Sequence, residues 1–241
     1  MIYRQRRAVP GRLCMFDDLA FKEDIKNKFG VFRNTIGVLN KQYNIAPTLN
    51  IAMFTNTRVY TYAHFGLIPS WATSRASMQI NARSETVFEK SSFKEAYRHR
   101  RCLIPLNGYF EWKKDAVSKK SKAHFIVSAS GDYFVFAGIY ESWYDNTLNK
   151  RILTCALLTT EPNEKIKSLH DRMPVVLETD QWELWLNDRS SYSELNRLFV
   201  PIASNKIRYF RVSERVNSVK NNSMECIAEF LDTEPRQGTL F

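Results

Sequence analysis

The sequence predicts an α+β fold in a single domain, in which a mostly antiparallel, barrel-like β-sheet is flanked by helices. A chain of 241 residues that is 44% hydrophobic can bury one large core. Short runs of strand-forming residues fill the middle of the chain, whereas helical patterns lie nearer its ends. Because strands and helices do not alternate strictly, a sheet of parallel strands joined by helices is disfavoured.

The first predicted helix begins after Asp17, a residue type that caps helix N termini. It ends at Gly30, because glycine readily adopts the left-handed conformation that stops a helix. Between them, apolar side chains recur at four-residue spacing and give the helix one buried face: Phe21, Ile25 and Phe29.

Strands are predicted where runs rich in β-branched and aromatic residues lie between turn residues. These runs are residues 58–68, 101–105, 108–112, 123–143, 151–160 and 207–212. The triplet Ser130-Gly131-Asp132 divides the fourth run into two strands, because it is a hairpin turn signal.

Short helices are predicted among and after these strands. Ser92 and Glu95 form a capping box for a helix that runs through Tyr97, and Ser191 and Glu194 form a second one. The helices that follow the strands cover residues 162–169, 179–187 and 191–199.

The charge balance points to a polyanionic partner. The net charge is +10 and the pI is about 9.5, and phosphates release counterions when lysine and arginine neutralise them. A generally basic proteome would produce the same surplus. The run Lys113, Lys114, Lys119, Lys120 and Lys122 fits a solvated hairpin loop better than a DNA contact.

The cysteine and histidine spacings favour neither metal nor disulfide. The four cysteines lie far apart and the four histidines show no ligand spacing beside them. We therefore expect free thiols, no metal and no cofactor. Since no apolar run approaches the length of a membrane span and cysteine is sparse, we expect a cytoplasmic protein, and the family resemblance described below implies a bacterial protein that associates with the nucleoid.

Four polar fragments in apolar surroundings are candidates for chemistry. Asn81, Arg83 and Glu85 would point the same way in an extended segment, and Glu111 lies between two aromatic residues. His170 precedes an Asp-Arg-Met-Pro turn, and Cys14 precedes the first helix. Each fragment taken alone also fits a structural role. The segment with Asn81 fits a salt-bridged edge strand, and Glu111 fits an outward-facing strand residue. The segment at His170 fits a capping cluster, and Cys14 fits a buried thiol.

Five motifs in chain order resemble those of the SRAP family, the SOS-response-associated peptidases. They are Tyr43-Asn44-Ile45-Ala46-Pro47, the segment Phe65 to Trp71, the segment Ile80 to Thr86, Gly108-Tyr109-Phe110-Glu111-Trp112, and the segment His170 to Pro174. The resemblance covers about residues 14–222, including a late segment from Val216 to Asn221. It predicts a basic N-terminal extension over 1–13, the domain over 14–222 and a tail over 223–241.

The resemblance implies a function in DNA damage. Members of the family link covalently to abasic sites in single-stranded DNA through an N-terminal cysteine. The α-amine condenses with the sugar aldehyde to a Schiff base, and the thiol then closes a thiazolidine ring. By resemblance, Asn81 would hold the cysteine and the sugar, Glu111 would position the amine and transfer protons, and His170 would assist ring opening or reversal.

The same resemblance implies the DNA-binding residues. Pro47 and Trp71 would wedge or stack against bases, Arg83 and Arg172 would bind phosphates, and Asn44 lies in the first motif at the expected DNA surface. The partner would be single-stranded DNA that carries abasic sites. The terminal residues Gln237, Leu240 and Phe241 resemble a peptide that docks on the bacterial sliding clamp, although a chance match in a terminus would look alike.

The N terminus departs from the family pattern, which begins Met-Cys and often Met-Cys-Gly-Arg. In one alignment Pro10-Gly11-Arg12 matches Cys-Gly-Arg, and the nucleophile is lost. In the other, Leu13-Cys14 matches Met-Cys. We take Cys14 as the predicted nucleophile, which requires it to become the first residue, because an amide nitrogen cannot form the Schiff base. The preceding residues would then be either a mis-assigned start or a propeptide that is removed. The alternatives are a non-covalent DNA-binding protein and a self-processing cysteine peptidase with lyase-like activity.

Overall fold

The structure is a computed structural model that describes residues 10–114 and 120–230. It confirms the α+β class: long antiparallel strands dominate, and the helices are few and short. The helices are α1 (Leu19–Phe29), α2 (Lys94–His99), α3 (Glu164–Lys167), α4 (Trp182–Leu186) and α5 (Tyr192–Asn196). Short 3₁₀ turns lie between them, for example at Thr179–Gln181 and Glu214–Asn217.

Thirteen strands are formed by the described residues. They are β1 (Arg12–Met15), β2 (Arg33–Asn34), β3 (Gln42–Ile45), β4 (Asn50–Thr55), β5 (Val59–Phe65), β6 (Asn81–Arg83), β7 (Arg101–Leu106), β8 (Gly108–Lys114), β9 (Ser121–Ser128), β10 (Phe134–Asp145), β11 (Lys150–Thr160), β12 (Met173–Pro174) and β13 (Ile207–Arg211). They divide into a sheet of eight strands and a sheet of five.

The larger sheet closes into a barrel. Its strands follow the order β12-β11-β10-β7-β4-β5-β2, and β5 also pairs with β11. That pairing joins the ends of a five-strand path, so β5, β4, β7, β10 and β11 form a ring. Closure removes unpaired edges from this part of the sheet. The short strand β6 lies in parallel beside β11.

The smaller sheet, with the order β13-β9-β8-β1-β3, separates two hydrophobic clusters. Successive side chains of a strand point to opposite faces. On one face, Leu13, Tyr109 and Ile126 join the main core. On the other, Cys14, Phe110 and Phe125 join a second, smaller cluster. We call these the main-core face and the small-core face.

Most of the predicted elements are confirmed. Helix α1 ends at Gly30, whose φ is 72°, and α5 begins with the capping box of Ser191 and Glu194. The box predicted for Ser92 and Glu95 is wrong, because α2 begins one residue later, after Phe93, and has no side-chain cap. Burial of Phe93, Ala96 and Tyr97 in the main core stabilises this helix instead.

The predicted terminal segments are described in part. In the predicted extension 1–13, the structure describes residues from Pro10 onward. In the predicted tail 223–241, Glu229 bridges to Val212, and the amide of Phe230 donates to the carbonyl of Arg211. The proposed clamp motif of Gln237, Leu240 and Phe241 lies outside the described residues, as does Lys119.

A buried guanidinium ties two helices to the barrel. Arg101, at the start of β7, is 1% exposed. Its nitrogens donate to four backbone carbonyls at 2.6–2.8 Å, those of Tyr97, Arg98, Trp185 and Asn187. These carbonyls lie at the ends of α2 and α4, where helical carbonyls lack partners within the helix.

We expect Arg101→Met to destabilise the protein by roughly 3–5 kcal/mol, because it leaves buried carbonyls without donors. Urea unfolding followed by tryptophan fluorescence measures this change as a lower midpoint. The matched control is Arg98→Met, since Arg98 is exposed. It should change stability by less than about 0.5 kcal/mol. Equal shifts in the two variants would contradict the assigned role.

Candidate active site

The position of β1 is fixed by Arg12, which lies between the two ends of the domain. Its guanidinium donates to Asn44 Oδ1 at 2.7 Å and to the carbonyl of Val216 at 2.9 Å. The Nδ2 group of Asn44 lies within hydrogen-bonding distance of three carbonyls at 2.8–3.2 Å, those of Val216, Ser218 and Asn221. Asn44 is 2% exposed. Its side chain therefore holds the late segment 216–221 rather than facing solvent.

The side chain of Asn81 contacts the backbone of Pro10. Its Nδ2 donates to the carbonyl oxygen of Pro10 at 3.2 Å. Strand β6 holds Asn81 in place, because it pairs with β11 at the register Leu157 to Asn81. The Oδ1 atom of Asn81 is buried, and no hydrogen-bond partner for it lies within residues 10–114 and 120–230. Such an acceptor is costly to bury unless a ligand supplies a donor.

Glu111 lies in β8 on the main-core face and is 4% exposed. The register pairs Arg12 with Phe110 and Leu13 with Tyr109. Continued by one residue, it sets Gly11 opposite Glu111. Burial and the charge of Glu111 raise the pKa of Tyr109, the preceding residue on the same face. The extrapolated register predicts that the carboxylate lies on the side of β1 where Pro10 contacts Asn81.

His170 lies in the loop after α3, and this loop is attached to β13. The hydroxyls of Ser168 and Tyr209 lie 3.1 Å apart, and Tyr209 is on the main-core face. His170 Nδ1 is 2.6 Å from Asp171 Oδ1 and 3.2 Å from the backbone nitrogen of Arg172. Nδ1 cannot both donate a hydrogen bond to the Asp171 carboxylate and accept one from the backbone N–H of Arg172. We assign the proton to Nδ1, because the bond to the carboxylate is shorter and charge-assisted.

The two arginines predicted to bind phosphates differ in their surroundings. Arg172 makes a bidentate ion pair with Glu85 at 2.5 and 2.9 Å and also donates to the carbonyl of Thr159. Arg83, in β6, is exposed. The pair between Arg172 and Glu85 joins two of the predicted motifs. It lowers the pKa of Glu85, although burial acts in the opposite direction.

Trp71 and Pro47 lie nearer the surface. The indole of Trp71 is 61% exposed, with its Nε1 at 3.5 Å from the carbonyl of Ser91. Pro47 is half-buried, at the end of the segment that contains Asn44. An aromatic ring with an open face can stack on a nucleobase, and stacking is one of the two contributions to single-strand binding.

Cys14 is not brought together with Asn81, Glu111 and His170. It lies on the small-core face, whereas Glu111 lies on the main-core face. The thiol is fully buried among apolar side chains, and burial followed by the nearby Cys226 raises the pKa of Cys14. Pro10, the residue that Asn81 contacts, lies four residues earlier, which is about 13 Å of extended chain.

Pro10 contacts Asn81 and Arg12 anchors β1, and neither residue is among those predicted for the site. The signal was present in the alternative alignment, in which Pro10-Gly11-Arg12 replaces Cys-Gly-Arg. In that alignment Asn81 contacts the residue in the cysteine position, and Arg12 anchors the strand. The Cys14 thiol lies on the opposite face of the sheet from Glu111.

Within residues 10–114 and 120–230, no group of three histidine, cysteine, aspartate or glutamate side chains could hold a metal ion. No helix of this part of the chain is long and apolar enough to cross a bilayer.

The SRAP family model, described as SOS response associated peptidase, matches residues 10–219. The chain belongs to this family. The match begins at Pro10 and includes the late segment 216–219. It therefore covers each of the four side chains predicted for catalysis and each of the five predicted for DNA binding.

The curated relatives of this SRAP chain include two proteins of Bacillus subtilis (strain 168) that are named abasic site processing proteins. YoaM is 37% identical over 226 residues, covering 91% of this chain and 94% of its own length. YoqW is 35% identical over 225 residues, covering 90% of this chain and 98% of its own length. A yeast relative with the same descriptive name is 28% identical, and the match covers 58% of its length.

Solved structures show the same fold. A protein from Bacteroides thetaiotaomicron superposes with a TM-score of 0.80 at 25% identity, covering 92% of this chain and 100% of that one. A protein from Bordetella bronchiseptica superposes with a TM-score of 0.67 at 18% identity, covering 84% and 98%.

The burial of Cys14 predicts slow thiol chemistry in the folded SRAP domain. Because the thiolate is the reactive species and burial raises the thiol pKa, Cys14 should react with Ellman's reagent at least about 100-fold more slowly than a free cysteine. The four cysteines should become reactive together in guanidinium. Comparison with Cys14→Ser identifies the contribution of this thiol. A fast-reacting thiol in the native protein that this variant lacks would contradict the buried position.

The hydrogen bonds of Asn44 predict how the late segment is held. Asn44→Asp replaces the amide donors with an acceptor that faces carbonyl oxygens, so the segment 216–221 should lose protection from hydrogen exchange about 10-fold or more. The matched control is Asn40→Asp, since Asn40 is exposed. Unchanged protection in Asn44→Asp would contradict the assigned contacts.

Proposed function

We propose that this protein binds single-stranded DNA at abasic sites and shields the lesion. The family, the names of the relatives and a net charge of +10 all support a DNA substrate. In this proposal Asn81, Glu111 and His170 surround the ring-opened sugar. Trp71 stacks on a neighbouring base.

The observation that carries the proposal is the contact between Asn81 and Pro10. Asn81 Nδ2 donates to the Pro10 carbonyl, while its buried Oδ1 has no partner among the described residues. Continued by one residue, the register of β1 and β8 would set Gly11 opposite Glu111. An amide acceptor and a carboxylate around one short segment suit a sugar hydroxyl or an amine, which are donors.

Covalent capture through Cys14 is the finer form of the proposal. It requires Cys14 to be the first residue, because only an N-terminal cysteine carries both the amine and the thiol of a thiazolidine. It also requires β1 to leave its place between β3 and β8, so that Cys14 moves from the small-core face to Glu111. That rearrangement would break the hydrogen bonds of Arg12.

Non-covalent binding is supported better by the geometry. Pro10 is the residue beside Asn81, and proline has no thiol. While a residue precedes it, its nitrogen is an amide and cannot attack an aldehyde. A self-processing cysteine peptidase would need an accessible thiol, and the buried position of Cys14 argues against this alternative.

The deciding experiment uses a single-stranded oligonucleotide with one abasic site. The full chain should bind it, as measured by fluorescence anisotropy, and should give no shifted band on a denaturing gel. Cys14→Ser should behave in the same way. If the full chain gives a band that Cys14→Ser lacks, Cys14 is the nucleophile and the non-covalent proposal is wrong.

A variant in which the nucleophile is restored at position 10 serves as the positive control for crosslinking. In a chain that begins at residue 10 after removal of an initiator methionine, Pro10→Cys should form a crosslink, since the new amine and thiol lie beside Asn81. Adding Asn81→Ala should slow the crosslink about 10- to 100-fold. Absence of single-strand binding in the full chain would overturn the proposed function as a whole.

A further inference from the structure

Three cations lie around one histidine on the sheet face that carries Glu111. The register of β8 with β9 pairs Glu111 with His124 and Lys113 with Lys122. The register of β13 with β9 pairs Arg211 with His124. Residues paired in this way point to the same face, so all five side chains line the main-core face where it leaves the core.

The positions of these side chains run outward from the candidate site. Glu111 is buried, His124, Lys122 and Arg211 are half-buried, and Lys113 is exposed. Lys113 lies two residues beyond Glu111 in the same strand, which is about 7 Å. A ligand that leaves the carboxylate along β8 therefore meets the lysines next.

Three positively charged side chains lie near the imidazole of His124. Burial, together with Lys113, Arg211 and Lys122, lowers the pKa of His124, although a hydrogen bond to the Lys122 carbonyl opposes this shift. His124 Nδ1 lies 3.1 Å from that carbonyl, so Nδ1 carries the proton. The neutral ring then has only an acceptor left, at Nε2, and cannot donate to an anion.

Lys113 and Lys122 lie directly opposite each other on β8 and β9. Like charges directly opposite one another on neighbouring strands repel. A polyanion that binds across both lysines would convert this repulsion into attraction, because each ammonium group can contact a phosphate. From the sequence, the same lysines fit a solvated loop, since their pairing across the hairpin is not visible there.

We propose that Lys113, Lys122 and Arg211 form a phosphate-binding strip that holds the DNA backbone on one side of the abasic site. The proposal rests on the proposed function, because it takes Glu111 as the position of the sugar. The strip binds phosphodiesters without reading the bases. His124 serves as a neutral spacer between the cations and the carboxylate.

The test compares two double variants that lose the same charge. Lys113→Gln with Lys122→Gln removes the outer part of the strip. Lys26→Gln with Lys28→Gln removes two exposed lysines from α1, a helix that packs through Phe21 against Tyr60 and Trp182. Affinity for an undamaged and an abasic single-stranded oligonucleotide is measured by anisotropy at several KCl concentrations.

The strip variant should bind both oligonucleotides more weakly. The slope of log affinity against log salt should fall by about 1.4, because each lost phosphate contact in a single strand removes about 0.7. The α1 variant should keep the slope of the unaltered protein. An unchanged slope in the strip variant, or an equal fall in both variants, would overturn the strip.

A second readout is the ring of His124, which NMR can follow. Without DNA, the strip variant should raise the pKa of His124, since two cations that repel its proton are gone. Addition of an oligothymidine to the unaltered protein should raise it too, because a phosphate near the ring favours the proton. No change on DNA binding would contradict the strip.

The two proposals fail in different ways. If the unaltered protein does not bind single-stranded DNA at all, the proposed function fails and the strip fails with it. If it binds and the strip variant binds equally well, only the strip is wrong. The melting temperature of neither variant should fall, because Lys26, Lys28 and Lys113 are exposed and removal of the Lys113–Lys122 repulsion is not destabilising.

Discussion

The site depends on one guanidinium. Arg12 joins β1 to Asn44 and to the carbonyl of Val216, residues that are 32 and 204 positions away. Through Asn44 the same network holds the segment 216–221. The indole of Trp112 in β8 donates to Asn217 and lies near the guanidinium of Arg12. These contacts fix the strand that follows Pro10, the residue that Asn81 contacts.

The two-residue period of a β-strand decides which side chains can act together. Cys14 and Glu111 belong to adjacent strands of one sheet, yet the sheet separates them. A register shift of one residue would exchange the faces and bury polar groups in the cores. The large apolar side chains of β8 and β9 therefore hold the register, and with it the distinction between a residue in the site and a residue in the core.

Much of the fold was accessible from the sequence because its strands and helices have local signals. The turn at Ser130-Gly131-Asp132, the helix end at Gly30 and the cap at Ser191 were of this kind. The closure of the barrel through β5 and β11 has no local signal, because it joins distant segments in parallel. The same holds for the candidate site: motifs predict Asn81, Glu111 and His170, whereas the sheet face on which Cys14 lies depends on its register with Gly108.

The contact between Arg12 and Val216 has a consequence for the newly made protein. An emerging polypeptide folds from its beginning, but β1 is completed by a contact with a residue 204 positions later. The ribosome must therefore have released the segment 216–221 before the hydrogen bonds of Arg12 and Asn44 can form. A shorter nascent polypeptide would carry the basic side chains of the earlier strands without the assembled site.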